Sequence, residues 1–172
     1  MCHSLRTALA LLLLTGPGCG RAHDLEQGAY VFAVAPGDVF RDDCALAGDG
    51  GPALQAALQT FGDDIQMAML QQSSTQCLAV ELVGQYQYTT QDFFADGTAS
   101  HPPLTANGGV CQVDFVQFHL DGVTVNTTTF SGVMRISYLS STPVSCNCQL
   151  WFNFQAALCT PPACPSVPTQ CS

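Results

Sequence analysis

The amino-acid sequence predicts a mainly β fold, a small antiparallel meander barrel with one short helix and disulfide staples; a two-sheet β-sandwich is the alternative. Three observations carry this reading. After Pro143, Cys146, Cys148, Leu150, Phe152 and Phe154 alternate with Asn147, Gln149, Trp151, Asn153 and Gln155, which is a strand with one buried and one wet face. Asp121-Gly122 joins two strand-like runs, 110–120 and 123–138, with the composition of a two-residue hairpin turn. Beyond the leader lie eight cysteines, Cys44, Cys77, Cys111, Cys146, Cys148, Cys159, Cys164 and Cys171, an even set on an oxidising route, and so disulfides rather than a zinc site.

Taken in order, residues 1–18 read as a signal peptide, with Arg6 ahead of a brief apolar core that is too short to span a bilayer. Residues 19–27 form a linker, 28–158 the barrel domain and 159–172 a Cys/Pro-rich tail. The apolar run Ala29-Tyr30-Val31-Phe32-Ala33-Val34 is the first strand, and Pro36-Gly37 ends it. Pro52 opens the helix, because Leu54, Ala57, Leu58 and Phe61 repeat at helical spacing before Gly62. Ile65, Met67 and Met69 alternate as a strand. A longer strand follows from Cys77, carrying Leu78, Val80, Leu82 and Tyr86 on one face, with Gly84 marking a bend. Asp96-Gly97 reads as another turn. In the 110–120 strand the phase slips at Phe115-Val116, which predicts a β-bulge. The inward face collects Tyr30, Phe32, Leu82, Tyr86, Phe115, Phe152 and Phe154, the candidate lining of a ligand site.

Geometry constrains the cysteines further. Cys146 and Cys148 point to the same side of one strand and do not pair with each other. Their partners come from the tail, or from Cys44 if the last strand closes against the first. The prolines of the tail keep it out of any sheet, and with three cysteines there and five in the body, complete pairing staples tail to body.

Charged residues are 10% of the chain, against roughly 25% in ordinary domains, and lysine is absent. All 13 acids lie beyond residue 20, opposed there by Arg21, Arg41 and Arg135 alone, a net charge of −10. Such a surface repels phosphate backbones, which argues against nucleic-acid partners.

Catalytic signals are weak. There is no G-x-S-x-G elbow, no H-E-x-x-H and no phosphate-cradling loop. His101 and His119 are candidate acid–base partners of Asp114 or Asp121, but surface and packing roles are favoured for both. Trp151, on the wet face, either stacks on sugars, joins an interface, or packs under the helix or a loop. Asn126-Thr127-Thr128 matches a glycosylation acceptor. The expectation is no enzyme and no cofactor.

Two resemblances extend this reading. Leu14-Thr15-Gly16-Pro17-Gly18-Cys19 resembles the lipobox of bacterial lipoproteins, which implies acylation of Cys19 as the new N-terminus and, with Gly20 following it, anchoring at the outer membrane. The alternative is a secretory signal cut after Ala22 and a soluble product. Gly28-Ala29-Tyr30 opens the first strand where lipocalins place Gly-x-Trp, and a meander follows, so the domain is similar to lipocalin-like barrels. That resemblance implies a small apolar ligand in the barrel mouth; the other expectation is a structural or interaction domain with a filled core, displayed on the cell envelope.

Overall fold

A computed structural model describes residues 24–46, 51–72, 77–87, 90–100, 102, 105–106, 111–141 and 147–160. The strands in chain order are β1 (Gly28–Ala33), β2 (Val39–Asp42), β3 (Ala53–Phe61), β4 (Asp64–Gln72), β5 (Cys77–Tyr86), β6 (Asp92–Ser100), β7 (Thr105–Ala106), β8 (Cys111–Gln112), β9 (Phe115–Asn126), β10 (Thr129–Leu139) and β11 (Cys148–Leu158). Neighbours pair antiparallel in the order β1-β3-β4-β5-β6-β9-β10-β11, and β11 returns to β1. The result is a closed eight-strand meander barrel, compatible with a lipocalin-like layout, and the sandwich alternative falls. Strands β7 and β8 form a separate ribbon.

Closure uses the last strand twice. Its C-terminal half pairs with β1 from Gln155 to Leu158, and its N-terminal half pairs with β2 from Leu150 to Phe152. Pro36-Gly37 lets the chain kink between the two, with Gly37 at φ 89°. The kink is itself tied to β11, since Asn153 N–H donates to the Asp38 carbonyl at 3.0 Å. Just past β2, Cys44 bridges to Cys148 across a sequence separation of 104.

The helix is a correction. Leu54 and Leu58 fit both a helical and a β period, and what decides is Ala56: Leu54, Ala56 and Leu58 all point inward and are buried, while the residues between them face out. Gly62 is not a helix terminator. With φ 67° it begins the two-residue hairpin turn between Phe61 and Asp64. Among the described residues no helix remains.

Both aspartate–glycine turns also fail. Asp121 and Gly122 lie inside β9, and Asp96 and Gly97 inside β6. Gly122 is there for space: a Cβ at that position would lie 2.3 Å from the Phe93 ring, its cross-strand neighbour. The 123–138 run is instead broken at Thr127-Thr128, where the Asn126 side chain accepts from the Thr128 N–H at 2.9 Å and the Thr128 hydroxyl at 3.0 Å. No bulge occurs at Phe115-Val116. Pairing of β9 with β6 runs unbroken from Phe115 to Val123, the irregularity falling earlier at Val113-Asp114, so Val116, Phe118 and Leu120 point inward and Phe115 outward.

Inside, one buried cluster runs the length of the barrel. Phe130 is its aromatic hub, with ring centroids 5.3 Å from Tyr30, 5.4 Å from Phe93, 5.6 Å from Phe32 and 5.7 Å from Phe154. Edge-to-face pairs at such spacing contribute about 0.5–1.5 kcal/mol each beyond area burial. Leu25 covers one end, its N–H donating to the Tyr86 hydroxyl at 3.2 Å, while Cys44 and Val113 join the cluster at the other.

Candidate functional site

The predicted lining divides. Tyr30, Phe32, Leu82, Tyr86, Phe152 and Phe154 are buried and inward, whereas Phe115 is 41% exposed on the outer wall. The six inward side chains pack against Phe93, Phe118, Phe130 and the methionines of β4, which the sequence reading did not single out. Both Tyr30 and Tyr138 have phenols pushed well above the ordinary tyrosine value, by burial first. Around Tyr30 the Glu26 charge adds to this, and around Tyr138 the Gln71 hydrogen bond partly offsets it.

Chemistry gathers on the outside instead. Outward positions in register across five strands form one row: Asp96 on β6 opposes His119 on β9, His119 opposes Arg135 on β10, Arg135 opposes Trp151 on β11, and Trp151 opposes Arg41 on β2. The Arg41 guanidinium lies 4.9 Å from the Trp151 ring centroid, and that of Arg135 lies 6.0 Å away on the other flank. Phe40 meets the indole edge-on at 6.2 Å. These two guanidiniums are the only ones among the described residues, and both attend one indole.

Carboxylates complete the row. His119 Nδ1 is 2.6 Å from Asp96 and Nε2 is 3.1 Å from Asp121, whose second oxygen accepts from Arg135 at 3.0 Å. Arg41 pairs with Asp43 at 2.6 Å. A neutral imidazole has one N–H, so the two His119 contacts are both donations only in the imidazolium. Beside this row runs a second, Thr98, Gln117, Ser137 and Gln149. This second row and Asp96, His119, Arg135 and Trp151 of the first bound a groove of about 430 Å³.

The other candidates scatter. Asp114 is not with His119; it accepts from the Ser141 N–H and hydroxyl. Asn126 is exposed at the β9–β10 turn. Cys77 and Cys159 are disulfide-bonded, as are Cys44 and Cys148. Cys19, Cys146, Cys164, Cys171, His101, the signal segment and most of the tail lie outside the described residues, as does the Cys111 side chain. Among the described residues no three His, Cys, Asp or Glu side chains gather as a metal site. The sequence reading had Trp151, His119 and Asp121 in view but missed Asp96, Arg41 and Arg135. Asp96 reads as part of a turn and the arginines enter only the charge balance, because no local pattern links the three; only the register joins them. No family model, curated protein or solved structure matches the chain.

Proposed function

We propose that this chain is an exported, non-catalytic binding module, held at the cell envelope through acylated Cys19, whose working surface is the outer wall around Trp151. The observation that carries this reading is the cross-strand row itself. The two described arginines of a charge-poor chain flank its only tryptophan, and through Arg135 the row continues to Asp121, His119 and Asp96 along an open groove.

The packing of the interior supports an outer rather than an inner site. An eight-strand barrel is just wide enough either to be filled by side chains or to hold one small ligand. Here the inward side chains form a single buried cluster that includes residues at both ends. A small apolar ligand in the mouth would have to displace some of them.

The interior is apolar and filled, unlike the polar lumen of barrels that span a membrane, and the outer positions around Trp151 are polar, while Phe61, Val83, Phe94, Phe115, Val123 and Val125 leave apolar side chains elsewhere on the wall. His119 is engaged by carboxylates at both ring nitrogens, which disfavours it in particular as a general base.

Two measurements test the reading. Native mass spectrometry of the mature protein from its host should give the bare chain mass plus any acyl anchor, and a stoichiometric apolar passenger would overturn the outer-wall assignment. Cys19→Ala should move the protein from the membrane fraction to the soluble one, and an unchanged distribution would remove the anchor.

A further inference from the structure

We infer that the Trp151 groove is a subsite for an uncharged sugar, a pyranose unit of a neutral oligosaccharide or glycan. The inference rests on the outer-wall reading above and names the ligand class. Three features of the groove carry it.

The first is charge. Each guanidinium already has a carboxylate, Arg41 with Asp43 and Arg135 with Asp121, and the net charge beyond residue 20 is −10. An anionic ligand would meet compensated cations in a repulsive field. The second is the density of neutral hydrogen-bonding groups: Thr98, Gln117, Ser137 and Gln149 present hydroxyls and amides as donors and acceptors at adjacent positions. Vicinal hydroxyls need such a floor, and an apolar ligand would leave it unpaired.

The third is the indole. Its π-face is electron-rich and takes the weakly positive C–H face of a pyranose. Arg41, from the β2 side, is in the closer cation–π contact with the ring. Arg135, on the groove side, stands at the 6 Å limit of that interaction, and its ion pair is exposed. Exposed pairs hold side chains weakly, so Arg135 can swing off the ring and donate to a ring or hydroxyl oxygen instead.

Because Trp151 is the chain's only tryptophan, its fluorescence reports this site alone. Mature full-length protein titrated with neutral hexose oligosaccharides should show a saturable change in intensity or emission maximum, insensitive to salt between low and physiological strength. Trp151→Ala should weaken binding of the same sugars by roughly tenfold or more in calorimetry, as truncation of an aromatic anchor does, while Trp151→Tyr retains some of it. Gln117→Ala with Gln149→Ala, which leaves the ring in place, should weaken it too, and matching thermal melts would show that these variants are folded. If only uronate-type acidic oligosaccharides bind, in a salt-sensitive way, the neutral-sugar assignment is overturned and the outer-wall reading stands. If no sugar of either kind binds, the carbohydrate inference fails while the mass-spectrometric test of the outer wall is unaffected.

Discussion

Phe115 and Phe152 carry the same ring on the same barrel and differ only in which way the pleat turns them. At 41% exposure Phe115 has less covered surface to lose, and Phe115→Ala should cost about 1–2 kcal/mol, clearly less than the same truncation inside the barrel. Phe152, fully buried, should cost about 3–5 kcal/mol on the same truncation, and urea unfolding of the pair measures the contrast directly. Equal effects would mean that the phase of β9 is misassigned. Gly122 argues the converse case. A methyl group there meets Phe93, itself packed against Phe130 and Tyr86, so the ring has nowhere to retreat. Gly122→Ala should cost about 1–3 kcal/mol in the same assay. Tyr30 and Tyr138 add a pH signature. In the unfolded chain a phenol loses its proton near pH 10, whereas burial keeps these two protonated to higher pH. Their contribution to stability is therefore complete below about pH 10 and is lost as pH climbs toward the folded-state value. Ultraviolet phenolate absorbance should show Tyr30 and Tyr138 ionising only as the barrel unfolds; full, reversible titration near pH 10 in folded protein would contradict their burial.

Among the elements, what could be read from the chain depended on whether local pattern or tertiary spacing decided the outcome. The alternation in β11 was unambiguous because every second residue is large and apolar, and its buried face is as expected. Parallel Cβ vectors at Cys146 and Cys148 excluded a bridge between them, and the Cys44 to Cys148 bridge found here is one of the pairings that geometry left open. The helix at 52–61 was misread because leucines four apart serve both periods, and the decisive Ala56 is small enough to be overlooked. Glycine pairs misled in a different way: Asp121-Gly122 and Asp96-Gly97 have turn composition, but the barrel uses those glycines for close approach between its strands. The groove was the least legible feature, since no local motif links Asp96 to Arg41 and only strand register does. The true β3–β4 turn offers a check. Gly62 sits at positive φ, so Gly62→Ala should destabilise by about 1 kcal/mol, whereas Gly37→Ala at the kink tests whether that second positive φ is equally demanding.

For the whole molecule, the seam between first and last strands is where closure and covalent chemistry meet. The Cys44–Cys148 bridge ties the exit of β2 to the start of β11 and encloses more than half the chain. Loops of that length give a stabilisation of about 2–5 kcal/mol, so Cys44→Ala with Cys148→Ala should lower the unfolding free energy by that amount. Since Arg41 lies on the short strand that this bridge pins, the same pair of substitutions should also loosen Arg41 from Trp151 and alter the emission of the chain's single indole. A stability loss without a fluorescence change would separate the seam from the groove.

The seam also decides how the protein would behave under load. The N-terminal linker enters β1 at Gly28, where Cys159 N–H meets the Ala29 carbonyl and Tyr30 faces Leu158, so a tether there opposed by a load on the end of β11 peels β1 from its end rather than along its length. Backbone bonds would then break in succession, at low force, like the teeth of a zip. The unravelling runs past the Pro36-Gly37 kink and along β2, then halts at the sulfur bridge. The residues between Cys44 and Cys148 then lie inside the bridged loop, off the line of tension.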